Sequence, residues 1–389
     1  MPQRFSGRLP ADLQPNPITA ALARHGRPAF DLTLSNPTLC GLSYPPDLLA
    51  ALAHAAGLKY HPDPRGLISA RAAVAGEYAR HGLALDPGRI ILTASTSEAY
   101  AFLFKLLCDP GEAVLVPSPS YPLFEHLARV EAVEALPYHL DVEHRCRIEV
   151  GELAAAGERV RAVIVVHPNN PTGSFVHPDD AAGLVQLCAR RGWALIADEV
   201  FLDYPLGGSA LPPACLAATA DALTFTLGGL SKSVGLPQLK LAWIAASGSD
   251  ELVRPALLRL ELIADTFLSV GTPVQLALPA LLASGASVRA AILERCRSNL
   301  AALASTLAAD PALTLLAPEG GWSAVLRYPA VVDEEDLVLE LLERESVAVH
   351  PGFFFDFPRD GYLVVSLLPP PDSFADGVRR IVRRIGTHL

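Results

Sequence analysis

The chain has 389 residues, a formal net charge of −10 and 51% hydrophobic against 19% charged residues. This composition indicates a well-packed globular protein and excludes a disordered chain. The acidic balance, with no basic stripe, argues against nucleic acid as a partner. A length of 389 residues exceeds one ordinary core, so we expect two domains, or one large α/β domain with an appendage.

The N-terminal sequence lacks the apolar core of a signal peptide. Pro, Gly or charge interrupts each apolar run before it could span a bilayer. Six cysteines are scattered without a CxxC pair, which is typical of free thiols in a reducing compartment. We therefore expect a cytoplasmic protein with no membrane partner and no bound metal.

The middle of the chain alternates short apolar runs with amphipathic stretches, the pattern of βαβ units and a mostly parallel sheet. Between the strands, helices are predicted at 96–107, 122–129 and 178–190. The predicted strands are 90–93, 113–116, 132–137, 162–167, 194–197, 223–226 and 241–245.

From 250 to 282 the pattern is helical over a long stretch and predicts a spine between two domains. The irregular, Pro-rich segment up to about Pro46 must pack against something larger. We expect a large domain over 47–285 and a small domain formed by 1–46 and 286–389. In the C-terminal part we predict helices at 288–308, 334–345 and 374–385, and strands at 313–316, 323–328, 347–350 and 362–367.

Polar segments follow several of these strands, and open α/β sheets bind ligands at the carboxyl ends of their strands. Asp198 and Glu199 follow one apolar strand, and His167-Pro-Asn-Asn-Pro-Thr-Gly173 follows another. Ala94-Ser-Thr-Ser-Glu98 joins a strand to a helix, where backbone N–H groups and hydroxyls favour a phosphate. Each segment also has a plain structural interpretation, as turn residues or as a helix cap.

Lys232 is the most informative residue of the chain. It is one of four lysines, the others being Lys59, Lys105 and Lys240, although the chain has 31 Lys and Arg together. An amine can lose its proton and form a Schiff base, whereas a guanidinium can do neither. Apolar sequence surrounds Lys232, which favours a chemical role over a lysine in a surface loop.

Three segments taken together resemble the class I and II aminotransferases, which are pyridoxal-phosphate enzymes of fold type I. They are the segment 167–173, Ala197-Asp-Glu-Val200 and Leu230-Ser-Lys-Ser-Val-Gly-Leu-Pro237. The resemblance extends from Ser35-Asn-Pro-Thr38 to the C-terminal helix. It implies an α/β fold, with a mostly parallel seven-stranded sheet flanked by helices in the large domain and a smaller α+β domain. It also implies a ping-pong transfer of an amino group from a donor to an oxo acceptor.

The resemblance implies roles around the ring of pyridoxal 5′-phosphate. Lys232 would bind the cofactor aldehyde as a Schiff base and would later move a proton at the substrate. Asp198 would face the pyridine nitrogen and keep it protonated. Asn170 would donate to the phenolic oxygen, and Tyr121, unless it is only a core aromatic, would stack on the ring.

The resemblance also implies a phosphate site that two subunits share. Tyr60 matches a tyrosine that reaches the phosphate from the partner subunit, so a two-fold homodimer is the expected assembly. Within one chain, the phosphate would contact Ser95, Thr96, Ser231 and Lys240.

Four positions depart from the family pattern. Val364 stands where an Arg usually clamps the substrate α-carboxylate. Phe201 replaces a Tyr that would donate to the phenolic oxygen, Lys240 replaces an Arg, and His167 stands where Asn is common. The change at Val364 leaves two interpretations: another group binds the carboxylate, or the substrate lacks one.

Two alternatives to an aminotransferase remain at this point. A lyase, racemase or decarboxylase would use the same cofactor on the same scaffold, and the fold does not distinguish them. A non-catalytic module that binds pyridoxal phosphate is the second alternative. The presence of Lys232, Asp198 and Asn170 argues against that module, as does the absence of a helix-turn-helix segment.

Overall fold

The protein is described by a computed structural model that covers residues 5–60, 62–207, 214–219, 221–268 and 270–389. The strands in this part of the chain are β1 (Phe30–Asp31), β2 (Ile90–Thr93), β3 (Ala113–Ser118), β4 (Glu134–Asp141), β5 (Arg147–Ile148), β6 (Val160–Val166), β7 (Ala194–Asp198), β8 (Thr224–Gly229), β9 (Ala242–Ser247), β10 (Thr314–Leu316), β11 (Ser323–Arg327), β12 (Val347–Ala348), β13 (His350–Pro351) and β14 (Tyr362–Ser366). The helices are α1 (Pro17–His25), α2 (Ile68–Arg80), α3 (Thr96–Leu107), α4 (Phe124–Val130), α5 (Val150–Leu153), α6 (Pro178–Arg191), α7 (Leu230–Ser233), α8 (Asp250–Phe267), α9 (Thr272–Leu307), α10 (Glu334–Glu345) and α11 (Pro371–Gly386).

The central sheet has eight strands in the order β2-β9-β8-β7-β6-β3-β4-β5. The inner pairs from β8 to β4 are parallel, whereas β9 is antiparallel to both of its neighbours and β5 is antiparallel to β4. The predicted α/β class is confirmed, and each of the seven predicted strands is present. The eighth strand, β5, was not predicted, because two residues are too short to show a period.

Helices cover both faces of this sheet because its inner strands carry apolar residues on both sides. Ile164 and Ile196 pack with α3 and α8 on one face, and Val163 and Leu195 pack with α6 on the other. The start of α6 follows from its sequence: His177 accepts a hydrogen bond from the backbone N–H of Asp179, and Pro178 occupies the first turn.

The predicted helical spine over 250–282 is wrong in its boundaries. The structure ends α8 at Phe267 and starts α9 at Thr272, after Leu268 with φ +67° and Gly271 at the N-cap. Helix α9 then continues without a break through 283–287, where the sequence suggested a gap between two helices. Gly285 lies in this stretch, and an added Cβ there would lie 2.6 Å from Val234. The glycine therefore allows close packing and does not form a turn.

Helix α9 is, among the described residues, the one helix that is long and apolar enough to cross a membrane. The expectation that Pro, Gly or charge interrupts every such run is therefore wrong for α9. Length and composition are weak evidence for a span, because a core helix of a globular protein has the same composition. Leu278 and Leu281 of α9 are fully buried, as expected of a core helix.

A second, antiparallel sheet has the order β10-β11-β14-β13, and β1 pairs in parallel with β12. One cluster joins Ile18 and Leu32 from the N-terminal segment to Ile292, Leu341 and Ile381 from the C-terminal part. The N-terminal segment therefore packs against the C-terminal unit, which supports our proposed small domain of 1–46 and 286–389.

Candidate active site

The candidate site lies where two adjacent parallel strands of the central sheet end. Strand β7 ends at Asp198, and β8 ends at Gly229 and leads directly into α7, which carries Lys232. Gly228 allows β8 to approach Trp243, because an added Cβ there would lie 2.6 Å from the indole ring. The chain thus brings Asp198 and Lys232 to one edge of the sheet, as the sequence pattern predicted.

The amine of Lys232 lies in an aromatic environment. Its Nζ is 5.1 Å from the ring centroid of Trp322 and 5.6 Å from that of Phe201. Lys232 forms no ion pair among the described residues. Burial lowers the pKa of Lys232 below the usual value for lysine, and the nearby charge of Asp198 partly opposes this. The amine is therefore easier to deprotonate than a surface lysine.

The carboxylate of Asp198 is buried and firmly held. Tyr100 donates its hydroxyl hydrogen to Oδ2 at 3.0 Å, and the backbone N–H of Val200 donates to Oδ1 at 3.2 Å. Burial raises the pKa of Asp198 to about 6, although these two hydrogen bonds and the charge of Lys232 each lower it. A cationic partner at this carboxylate would offset the cost of burial.

The start of α3 lies beside the end of β2. Ser95 is the N-cap and accepts from the backbone N–H of Glu98 at 3.1 Å. Glu98 reaches back to the N–H of Ala94 at 2.6 Å, and Thr96 is the first residue of the helix. Ser95 is thus a helix cap, and the positive end of this 12-residue helix also attracts anions.

The two asparagines after β6 have different environments. Asn169 is buried and accepts from Ser120 Oγ at 2.8 Å, while its Nδ2 donates to the carbonyl of Pro119. Asn169 is therefore a turn residue. Asn170 is partly buried and accepts from Ser323 Oγ at 3.4 Å through Oδ1, which leaves its Nδ2 available to donate to another group.

The remaining predicted site residues lie in three settings. Phe201 is buried against Trp322, and Ser231 is partly buried one residue before the lysine. Tyr121 is 44% exposed, and both burial and the charge of Asp198 raise its pKa. Lys240 is exposed at a left-handed position with φ +50°, and Tyr60 is 80% exposed.

His167 has a structural environment. Its Nδ1 accepts from the backbone N–H of Val176 at 3.0 Å, and its Nε2 lies 3.1 Å from the carbonyl of Ala214. Burial lowers the pKa of His167 to about 4, so the ring is neutral at pH 7. The change from the Asn common in the family therefore preserves a hydrogen-bonded turn and adds no charge.

Comparison with known proteins gives the family. The model of the aminotransferase class I and II family matches residues 35–372. The chain belongs to this family. An alanine aminotransferase of Mycobacterium tuberculosis is 28% identical over 380 residues, which cover 93% of this chain and 86% of that protein. A glutamate-pyruvate aminotransferase of Haemophilus influenzae is 24% identical over 93% of this chain and 92% of its own length.

Solved aminotransferase structures share the fold. An alanine aminotransferase from Pyrococcus furiosus superimposes with a TM-score of 0.88 over 99% of this chain and 100% of its own, at 21% identity. An aminotransferase from Escherichia coli gives a TM-score of 0.87 over 99% of both chains, at 22% identity. The protein is a pyridoxal-phosphate-dependent aminotransferase with the fold of this family.

The residues of this aminotransferase fit its cofactor. Asp198 is a buried carboxylate with no ion-pair partner among the described residues, as suits a protonated ring nitrogen. Lys232 supplies an amine of lowered pKa, and the start of α3 suits a phosphate. These three features offer a group for the ring nitrogen, for the aldehyde and for the phosphate. Asn170 offers a donor for the phenolic oxygen.

The sequence did not identify three residues that lie at the candidate site. Tyr100 lies four residues after Thr96, on the same face of α3, and that spacing could have revealed it. Trp322 directly precedes β11, and no local pattern connects it with Lys232. Tyr204 donates its hydroxyl hydrogen to the carbonyl oxygen of Lys232, although 28 residues separate them.

Proposed function

We propose that Lys232 is the residue that bonds the cofactor, and that the enzyme acts by two half-reactions with an amino acid as donor and a 2-oxo acid as acceptor. The main observation is the amine of Lys232, which is partly buried near Asp198 and has no carboxylate within ion-pair distance among the described residues. When bound, pyridoxal phosphate supplies an aldehyde that condenses with amines and a ring that withdraws electrons from the adjoining bonds.

The proposed roles of the other residues follow from their contacts. Asp198 holds a proton on the ring nitrogen, and Tyr100 fixes the orientation of that carboxylate. Asn170 donates to the phenolic oxygen through Nδ2, since Ser323 occupies its Oδ1. Lys232 moves the proton at the substrate Cα after the substrate amine has replaced it. Tyr121 would stack on the ring, and Ser95, Thr96, Ser231 and Lys240 would hold the phosphate.

Alanine and pyruvate are the substrate pair that we propose first. The M. tuberculosis relative is named an alanine aminotransferase, the H. influenzae relative a glutamate-pyruvate aminotransferase, and a 28% identical relative of Pseudomonas aeruginosa an arginine–pyruvate transaminase. These names share alanine or pyruvate, while the second amino acid varies. We therefore propose pyruvate as acceptor and alanine as the donor for the reverse half-reaction.

We further propose a homodimer with shared active sites. The outer surface of α8 exposes Leu258 by 57% and Leu262 by 70%, and Leu58 is 92% exposed. Arg65 binds Glu261 of α8 at 2.6 Å, which brings the segment that carries Tyr60 next to this apolar surface. Apolar surface of this kind is typical of a subunit interface. The six free cysteines agree with a cytoplasmic location.

A single-turnover experiment tests the proposed reaction. L-Alanine added to the cofactor-loaded enzyme should convert the cofactor to its amine form, and pyruvate should then restore the starting absorbance. A lyase would release ammonia from the amino acid with no need for an oxo acid. Ammonia release at the rate of turnover, without pyruvate, would therefore contradict the proposal.

A further inference from the structure

One face of strand β14 borders the candidate site. Leu363 and Val365 pack into the cluster formed with α9 and α11, so the alternate residues Val364 and Ser366 lie on the opposite face, where Val364 packs with Phe355 and Phe357. Ser366 pairs with Ser323, whose hydroxyl contacts Asn170 at 3.4 Å. The position where the family carries its carboxylate-binding Arg is therefore on the face of β14 that borders the candidate site. Val364, which occupies that position, has no polar group.

His350 lies directly beside Val364. The two residues are opposed in the antiparallel pair of β13 and β14, and opposed residues in such a pair project from the same face. The ring centroid of His350 is 5.9 Å from that of Phe355, whose carbonyl accepts from the backbone N–H of Ser120 at 3.0 Å. Ser120 precedes Tyr121, so His350 borders the loop that carries the proposed ring-stacking residue.

The other cations of this part of the sheet are already paired. Arg327 lies on the same face of β11 and donates to both carboxylate oxygens of Glu143, at 2.9 and 3.0 Å. Arg359 binds the same Glu143. His350 takes part in no hydrogen bond or ion pair among the described residues, although its side chain is partly buried. No contact of the imidazole within the described chain therefore has to be broken before it binds a carboxylate.

We propose that His350, in its protonated form, binds the substrate carboxylate in place of the Arg that the family carries at the position of Val364. This inference rests on the proposed function, because it assumes an amino acid substrate. A protonated imidazole donates to a carboxylate through a charge-assisted hydrogen bond, as a guanidinium does. Unlike a guanidinium, it loses its charge within the physiological pH range.

The surroundings of His350 set the direction of the pH dependence. Burial lowers the pKa of His350, and the charge of Asp31 on β1 raises it. Glu334 of α10 already accepts from the backbone N–H groups of Phe353 and Tyr362. A bound carboxylate would favour the charged ring, so the affinity for carboxylate substrates should fall as pH rises through the pKa of His350 in the complex.

The test compares wild-type enzyme with His350→Asn, and uses His388→Asn as a matched control. His388 binds Glu340 on the helical side of the small domain, away from the site. We expect His350→Asn to raise KM for L-alanine by roughly 10- to 100-fold, the range for a lost hydrogen bond to a charged group. The KM for a simple alkylamine, which has no carboxylate, should stay unchanged. Adding Val364→Arg to His350→Asn should lower KM again and make it independent of pH.

Propionate binding to the cofactor-loaded enzyme gives a second measurement that needs no turnover. Calorimetry in buffers of different ionisation enthalpy should show proton uptake by wild type near pH 7.5 and none by His350→Asn. A wild-type KM for L-alanine that does not change with pH, together with binding of propionate without proton uptake, would overturn the inference even if a variant fails to fold. If neither L-alanine nor an alkylamine converts the cofactor, the proposed function fails instead, and the propionate experiment still decides the role of His350.

Discussion

Tyr204 donates its hydroxyl hydrogen to the carbonyl oxygen of Lys232, and the same hydroxyl lies 3.3 Å from the carbonyl oxygen of Ser233. Arg289 of α9 also donates to Ser233, at 2.7 Å. Both donors are buried. Because α7 has only four residues, these contacts fix the orientation of the helix that carries the proposed catalytic amine.

Tyr204→Phe removes this hydroxyl and nothing else. We expect kcat to fall by about tenfold with little change in KM, and the free energy of unfolding to fall by about 1 kcal/mol, as for one lost hydrogen bond. Tyr328→Phe is the matched control, because Tyr328 is also buried and its hydroxyl has no hydrogen-bond partner among the described residues. Steady-state kinetics and urea unfolding check both variants. A loss of stability in Tyr204→Phe with unchanged kcat would show that the hydroxyl does not position Lys232.

Glu199 should make the cofactor-free protein less stable at high pH. Burial raises the pKa of Glu199 from 4.5 to about 7, although Cys215 and the backbone N–H of Leu216 donate to the carboxylate. A raised pKa means that the stabilising contribution is complete below pH 4.5 and is lost as pH rises through about 7. From pH 5 to pH 8, Glu199→Gln should therefore lose less stability than wild type, by up to roughly 3 kcal/mol.

Urea unfolding of the cofactor-free protein at both pH values measures this difference. Glu251→Gln, at an exposed position of α8, is the control and should follow wild type. Equal pH dependence in wild type and Glu199→Gln would mean that Glu199 is already ionised at low pH in the folded chain.

A mixture of two inactive variants tests the shared active site. Tyr60→Ala and Lys232→Ala should each be inactive or nearly so. If Tyr60 serves the site of the partner, a heterodimer of the two variants contains one intact site, and mixing should restore activity. If Tyr60 serves its own chain, neither site of the heterodimer is intact and no activity returns.

Leu262→Glu, on the exposed surface of α8, should dissociate the dimer, as sedimentation would show.

The elements that the sequence predicted well are those with local end signals. Helix α3 was predicted with its observed bounds because Ser95 caps it, and α10 because Asp333 accepts from the N–H groups of Glu335 and Asp336. The boundary between α8 and α9 was wrong, since Leu268 carries no turn signal, and α9 runs through Gly285 although the predicted helices exclude 283–287. Packing against Val234, which is distant in sequence, decides the role of that glycine.

The difference between local signals and contacts of distant segments also separates the site residues that were predicted from those that were missed. Asp198 and Lys232 follow strands, and parallel strands end at a common edge, so sequence order alone brings them together. Trp322 and His350 come from the second sheet, and their positions depend on how that sheet packs against the first. Such contacts between distant segments leave no period or spacing in the sequence.

Phe201→Tyr should shift the titration of the cofactor-loaded enzyme. The ring of Phe201 lies 5.6 Å from Lys232 Nζ and has no hydroxyl to stabilise the deprotonated phenolic oxygen. Adding the hydroxyl should lower the pKa of the cofactor–lysine chromophore, which absorbance against pH measures. An unchanged titration curve would mean that the new hydroxyl does not reach that oxygen.

The most direct test of the account is to identify the lysine that bonds the cofactor. Borohydride reduction of the cofactor-loaded enzyme, followed by digestion and mass spectrometry, fixes the cofactor to its lysine. With four lysines in the chain, the assignment is unambiguous. The account predicts the adduct on Lys232 alone and its loss in Lys232→Ala. An adduct on Lys240, or on Lys59 or Lys105, would contradict it.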